Sequence, residues 1–232
     1  MKRSRPIEPA VKDEDFESGE RNPSLASRAY RRIKEKILMG EIPPLAAIDD
    51  RALMAELKTG RTPIREALQR LAFEGLVTVI PYRGTMASGI DMSDLDQIME
   101  IRIPLEILAG RAAAQRAAAA EIEALRTLVG RYDIERLCLE SEFVELLRLD
   151  LEFHMAVTEM ARNEFLVRTL ENLRDLTWRF YILFYRRHPP SASQSFNNYV
   201  EIIDALERHD PAEVEARLEE HFRDTRRLFP SG

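Results

Sequence analysis

The sequence predicts a mainly α-helical protein in two parts, three helices with a β-hairpin followed by an all-helical bundle of six or seven helices. Three observations lead there. Apolar residues recur at three- and four-residue spacing from residue 25 onward, with only the stretch LVTVIPYRGTMAS reading as two short strands around a turn. Beyond Gly89 the texture changes to long helical segments with few breakers. The charge is also split: residues 1–90 carry 16 Lys+Arg against 13 Asp+Glu, net +3, whereas residues 91–232 carry 18 against 27, net −9. One end can approach phosphate, and the other is repelled by it.

Taken in order, residues 1–24 mix charge, proline and serine without periodicity and read as a flexible arm. From Leu25 to about Met39, Ala26, Tyr30, Ile33 and Ile37 mark a first helix that Gly40 and Pro43-Pro44 end. Asp49 and Asp50 are N-cap candidates for a second helix carrying Leu53, Met54 and Leu57, broken by Thr59-Gly60. Thr62 reads as the cap of a third, with Pro63 at its first position, Ile64, Ala67, Leu68 and Leu71 on one face, and Gly75 closing it. The hairpin turns at Pro81-Tyr82-Arg83-Gly84, and the unit closes at residue 89. From residue 90 to 232 helices are expected near 93–119, 121–137, 140–161, 164–187, 193–209 and 211–228, with Pro104 dividing the first. The alanine-rich run at 112–120 favours helix and close helix packing.

With 45% hydrophobic residues in 232, the chain can build real cores. The single cysteine, Cys138, cannot form an intramolecular disulfide, and the charged first 24 residues contain no apolar signal-like stretch, so a cytoplasmic location is expected. No window approaches the roughly 18 uninterrupted apolar residues of a membrane span.

Two helices joined by a tight turn, then a hairpin, form a winged helix-turn-helix, which presents its second helix to a DNA major groove. Arg61 and Arg65 are four apart and share a face opposite the apolar one, where arginine grips guanine or phosphate in bidentate fashion. Arg51 and the wing-tip Arg83 extend the same basic surface. The stretch from Tyr30 to Gly84, with GEIPP, RTPIREALQRLAFEGLV and YRG, closely resembles the winged-helix domain of the GntR family of bacterial regulators. The resemblance implies operator contacts at Arg51, Arg61, Thr62, Arg65 and Gly84. The chain departs from the family at Gly60, where a serine or threonine commonly meets phosphate, and at Leu45, which replaces a glycine.

In the second part, polar residues interrupt apolar stripes. Asp150 and His154 lie on the stripe Phe143, Leu147, Asp150, His154, Val157, Ala161; His221 lies on Val214, Leu218, His221, Thr225, Leu228; Arg102 lies on Leu95, Ile98, Arg102, Leu105, Ala109. Burying such groups is costly unless they pair or bind something. Two readings stand side by side: Asp150, His154 and His221 share a cation, or Arg102 and Asp150 form a structural ion pair beside hydrogen-bonded histidines.

The layout resembles the FCD-type effector domain of the FadR-like GntR regulators, through Arg102 to Glu106 (Arg-x-x-Leu-Glu), Phe153 to Asn163 (Phe-His…Asn), and Ile202 to Leu206 followed by His221. That resemblance implies a divalent metal ion, zinc, nickel or manganese, on Asp150, His154 and His221, with Arg102, Tyr199 and Asn163 assigned to a carboxylate effector. Tyr199 stands where those relatives carry a fourth ligand, a histidine; three ligands still hold a metal, at lower affinity, with positions open to water or effector. The aromatic run around Trp178 to Tyr185 reads as core and dimer packing. The chain is therefore expected to be a homodimeric repressor that reads an inverted repeat in operator DNA and releases it when a small organic acid binds. The alternative from another class is a metal-dependent hydrolase in which Asp150, His154 and His221 activate water.

Overall fold

The computed structural model describes residues 23–133, 143–185 and 198–227, which hold nine helices and two strands. The chain divides into two units, residues 1–90 and 91–232. Expected features at 1–22, 134–142, 186–197 and 228–232 lie outside the described residues. These include most of the arm, Cys138 and several helix ends.

In the first unit, α1 (Leu25–Leu38) begins at Ser24, whose hydroxyl accepts from the Ser27 N–H. Helix α2 (Asp50–Glu56) is capped by Asp49, which accepts from the N–H groups of Arg51 and Ala52. Lys58, at φ 49°, turns the chain into α3 (Arg61–Phe73). Here the expectation for Thr62 is corrected: Gly60 is the N-cap, no side chain caps the helix, and Thr62 and Pro63 lie inside the first turn. Proline is tolerated there because the first-turn N–H groups have no intrahelical partner to lose. Helix α1 packs on α3 through Ile33, Ile37, Ile64, Leu68 and Leu71, all buried. The Tyr30 hydroxyl donates to both Glu74 carboxylate oxygens at 2.8 and 2.9 Å, and Lys34 joins them, tying α1 to the end of α3.

Strands β1 (Val77–Ile80) and β2 (Gly84–Ala87) pair antiparallel, Val77 opposite Ala87 and Ile80 opposite Gly84. Gly84 sits at φ 97°, a conformation open to glycine. A third segment, unexpected from the sequence, joins the wing: Ala47 bridges Met86, and Ile48 N–H donates to Thr85.

The second unit is helical throughout its described residues: α4 (Met92–Arg116), α5 (Ala119–Gly130), α6 (Phe143–Met160), α7 (Glu164–Tyr185), α8 (Tyr199–Glu207) and α9 (Pro211–Arg227). Asp91 and Asp94 form a capping box at the start of α4. Pro104 does not divide α4; it sits on the exposed side, where water can satisfy the carbonyl it leaves unpaired. The alanine run is not one helix. Ala117 is extended, and Glu121 accepts the Ala118 N–H at 2.9 Å, starting α5 there. Helix α5 ends at Gly130, short of the expected 137. Helices α4 and α9 run antiparallel in close contact, with Gly110 against Val214 and Leu218 and Asp96 paired to Arg226. That seam brings Arg102 over the ring of Phe222, next to His221 in the chain.

Candidate metal and effector site and DNA-reading face

Three helices converge on one buried polar cluster. Asp150 and His154, one turn apart on α6, meet His221 from α9 and Tyr199 from α8. His154 Nε2 lies 3.1 Å from His221 Nε2, and Asp150 Oδ1 lies 3.3 Å from His221 Nε2 and 3.5 Å from His154 Nε2. A point equidistant from these three donor atoms is about 1.9 Å from each, close to ordinary Zn–N and Zn–O lengths of about 2.0–2.2 Å. The donor set, two imidazoles and a carboxylate, suits zinc, nickel or manganese. The residues present therefore fit a divalent ion. Tyr199 is fully buried and its hydroxyl donates to Asp150 Oδ1 at 3.0 Å, so it contacts a candidate ligand.

Arg102 does not pair with Asp150, as the structural reading expected. Its Nε donates to Glu106 Oε1 at 3.1 Å, one turn along α4, because i,i+4 partners on one helix meet without any tertiary adjustment. Arg174 from α7 donates to the same oxygen at 3.0 Å, and Glu106 Oε2 accepts from His154 Nδ1 at 3.0 Å. Arg174 also donates to the His154 carbonyl oxygen at 2.8 Å and to the Thr158 hydroxyl. Sequence reasoning gave no role to Glu106, Arg174 or Thr158. The signal for Arg174 was the same as for His154, a polar residue interrupting a buried stripe, here Leu166, Leu170, Arg174, Trp178.

The electrostatics follow from these neighbours. Burial pushes the Glu106 and Asp150 carboxyls up, but the opposing charges win: His154, Arg174 and Arg102 hold Glu106 well below the usual carboxylate range, and His154 with His221 does the same for Asp150. Burial lowers both imidazoles; Glu106 and Asp150 more than offset it at His154, which ends raised, whereas His221 ends lowered, with His154 adding to the burial effect. Tyr181, also buried, is pushed up and stays a neutral phenol.

Asn163 lies outside this cluster. It is exposed, and its Oδ1 caps α7 by accepting from the N–H groups of Phe165 and Leu166, which corrects its assignment to the effector.

In the first unit Arg51, Arg61, Thr62, Arg65, Arg83 and Gly84 are all exposed. Arg61 and Arg65 project from the first turns of α3, while Ile64, Ala67 and Leu68 are buried beneath it. Arg83 follows the fully exposed Tyr82 at the tip of the hairpin.

Two family models match the chain: "Bacterial regulatory proteins, gntR family" over residues 25–86 and "FCD domain" over residues 97–224. The chain is a GntR-family DNA-binding transcriptional regulator. Among the relatives of this GntR regulator, the Nta operon transcriptional regulator of Aminobacter aminovorans is 32% identical over 186 residues, 77% of this chain and 84% of the relative. The HTH-type transcriptional repressor RspR of Escherichia coli (strain K12) is 27% identical over 198 residues, 84% of each chain. The solved structure of E. coli McbR/YncC superposes with a TM-score of 0.77 at 21% identity, covering 89% of this chain and 97% of that one, and has the same fold. The family and these relatives are regulators, not enzymes, and the hydrolase reading is set aside. Among the described residues, no helix is long and apolar enough to cross a membrane.

Proposed function

We propose that this GntR regulator is a cytoplasmic, homodimeric repressor that holds an inverted-repeat operator and releases it when a small organic acid binds the FCD domain beside a divalent metal. The observation that carries this reading is the convergence of three ligand atoms, from Asp150, His154 and His221, on one point inside the bundle. A metal bound there supplies a Lewis-acidic centre with open coordination positions for carboxylate oxygens.

The charge balance supports an anionic effector. With neutral histidines, the buried Arg102 and Arg174 offset the carboxylates of Glu106 and Asp150, so a divalent cation leaves an excess of positive charge that a carboxylate cancels. Arg102 offers its guanidinium to that anion. Tyr199 holds Asp150 in place, and the buried His221 Nδ1, without a hydrogen-bond partner among the described residues, is a further polar atom for the effector to satisfy. On the DNA side Arg61, Thr62 and Arg65 enter the major groove, Arg51 meets the backbone, and Arg83 and Gly84 bring the wing against the duplex. The exposed Ile101 and Leu108 on one face of α4 are apolar surface for the partner copy. The effector shifts a population between DNA-competent and released dimers.

The test is operator binding by fluorescence anisotropy, on a DNA site selected in vitro from random sequence, with zinc-loaded protein and a panel of hydroxy- and dicarboxylic acids. One acid should release the wild type and leave the Asp150→Ala variant bound. An Asp150→Ala protein that keeps its acid response refutes the sensing role, and one that loses its dimer assigns Asp150 to structure instead.

A further inference from the structure

Glu106 is 2% exposed, sits outside the ligand triangle, and is bonded from three helices at once. Its Oε1 accepts from Arg102 on α4 and Arg174 on α7, and its Oε2 accepts from His154 Nδ1 on α6. Resting on the metal reading above, we propose that Glu106 is the positioning residue of the metal site: it holds His154 so that Nε2 faces Asp150 and His221, and it links that ligand to the arginine that takes the effector.

An imidazole can bind through either nitrogen, and the hydrogen bond made by the other nitrogen decides which one is free. At His154 the Glu106 carboxylate claims the Nδ1 proton, so Nε2 is the nitrogen at the triangle. The clamp reaches the backbone too, because Arg174 bonds the His154 carbonyl oxygen and the Thr158 hydroxyl in the same turn of α6. His221 has no such support: its Nδ1 is buried without a partner among the described residues. His154 is therefore the oriented ligand of the pair and His221 the adjustable one. Arg102 serves both sides of the site. Glu106 engages its Nε, and among the described residues no hydrogen bond engages its Nη atoms, so the same guanidinium can hold an anion while it holds Glu106. A shift of Arg102 toward a bound anion is passed through Glu106 to the His154 ring, and metal and anion affinities become reciprocally linked.

A buried ion network that only stabilises the fold would leave metal coordination unchanged when altered, which separates the two roles. Full-length protein stripped with a chelator is titrated with Co²⁺ alone, following the visible d–d bands and competing against a chromophoric chelator, for wild type, Asp150→Ala and Glu106→Gln. Wild type should bind, Asp150→Ala should lose binding, and Glu106→Gln should bind roughly 10- to 100-fold more weakly with altered bands. A Glu106→Gln protein with wild-type affinity and bands overturns the positioning role, while a wild type that takes no Co²⁺ overturns the metal reading beneath it. If Glu106→Gln does not fold, ¹⁵N imidazole spectra of the Zn²⁺-loaded wild type decide: His154 protonated at Nδ1 and bound through Nε2 upholds the proposal, and binding through Nδ1 overturns it.

Discussion

Replacing Gly110 by alanine should force α4 and α9 apart at the seam that carries the polar cluster. An added Cβ would lie 2.4 Å from Leu218 Cδ1 and 3.0 Å from Val214 Cγ1. Leu218 is 1% exposed and Val214 is fully buried, so both would have to shift against their packed neighbours rather than out into solvent. Overpacking a filled core costs about 1–3 kcal/mol, and a contact this short belongs at the upper end. Alanine regains about 1 kcal/mol over glycine in a helix interior, so the net loss should be about 1–2 kcal/mol. The displacement does not stay local. His221 is three residues beyond Leu218 on α9, and its Nε2 lies 3.3 Å from Asp150 Oδ1. Urea denaturation followed by circular dichroism should show the lower midpoint, and Co²⁺ titration should show weaker binding in the same variant. A Gly110→Ala protein more stable than wild type, by the helix-propensity gain alone, would show that the seam relaxes freely and would sink the packing argument.

Arg61→Ala and Arg65→Ala should each weaken operator binding by about 1–3 kcal/mol, roughly 5- to 150-fold, if they read base edges; anisotropy across a salt series separates this from a phosphate contact, which instead lowers the salt slope by about one. Tyr199→Phe removes the hydrogen bond to Asp150 Oδ1 and should lower the stability of the metal-free protein by about 1.5–3 kcal/mol, the usual range for a bond to a charged group, as read from urea midpoints in chelator. The metal-free protein should also lose stability in acid. Glu106 and Asp150 have folded-state values below their unfolded ones of about 4.3 and 3.9, so their contribution is present above those values and disappears as the pH falls below them. His154, raised, has the opposite sign: its contribution is full below about 6.5 and fades as the pH rises through its folded value. Urea midpoints from pH 3 to 8 for wild type and Glu106→Gln check both arms, and an acid limb equally steep in the variant would remove Glu106 from the account.

Periodicity alone placed much of this fold, because helix faces and caps are local properties. The apolar stripes of α1 and α3, the Asp49 cap, the Gly75 stop and the hairpin turn all depend on residues within a few positions of each other. The inward faces of Asp150, His154 and His221 were legible for the same reason. What stayed hidden depends on how helices cross. Arg102 meets Glu106, its i,i+4 neighbour, rather than Asp150; what the stripes could not show is that α7 and α6 deliver Arg174 and His154 to the same carboxylate. Asn163 looked like part of an effector motif, yet its side chain serves the helix that follows it. The alanine run blurred where the first long helix ends: the boundary expected at residue 120 falls at Ala117 and Ala118, where Glu121 accepts the Ala118 N–H.

The arrangement of the buried charges argues that the cluster exists for binding more than for stability. Pairs of buried ions rarely outperform apolar residues of the same volume, because desolvation consumes what their attraction returns. Here two arginines, two carboxylates and two histidines sit together in a helical unit whose other buried positions are mostly apolar, with Thr158, Thr177 and Arg179 as further polar ones among the described residues. Tyr199 sharpens the point. Where the resemblance implies a fourth metal ligand, the chain places a neutral phenol that donates to Asp150 instead. On the proposed reading, that exchange keeps Asp150 oriented while leaving a coordination position open. Asp150, His154 and His221 would hold a divalent ion through three protein groups, and an effector carboxylate would then supply both a further ligand oxygen and the negative charge that balances the site.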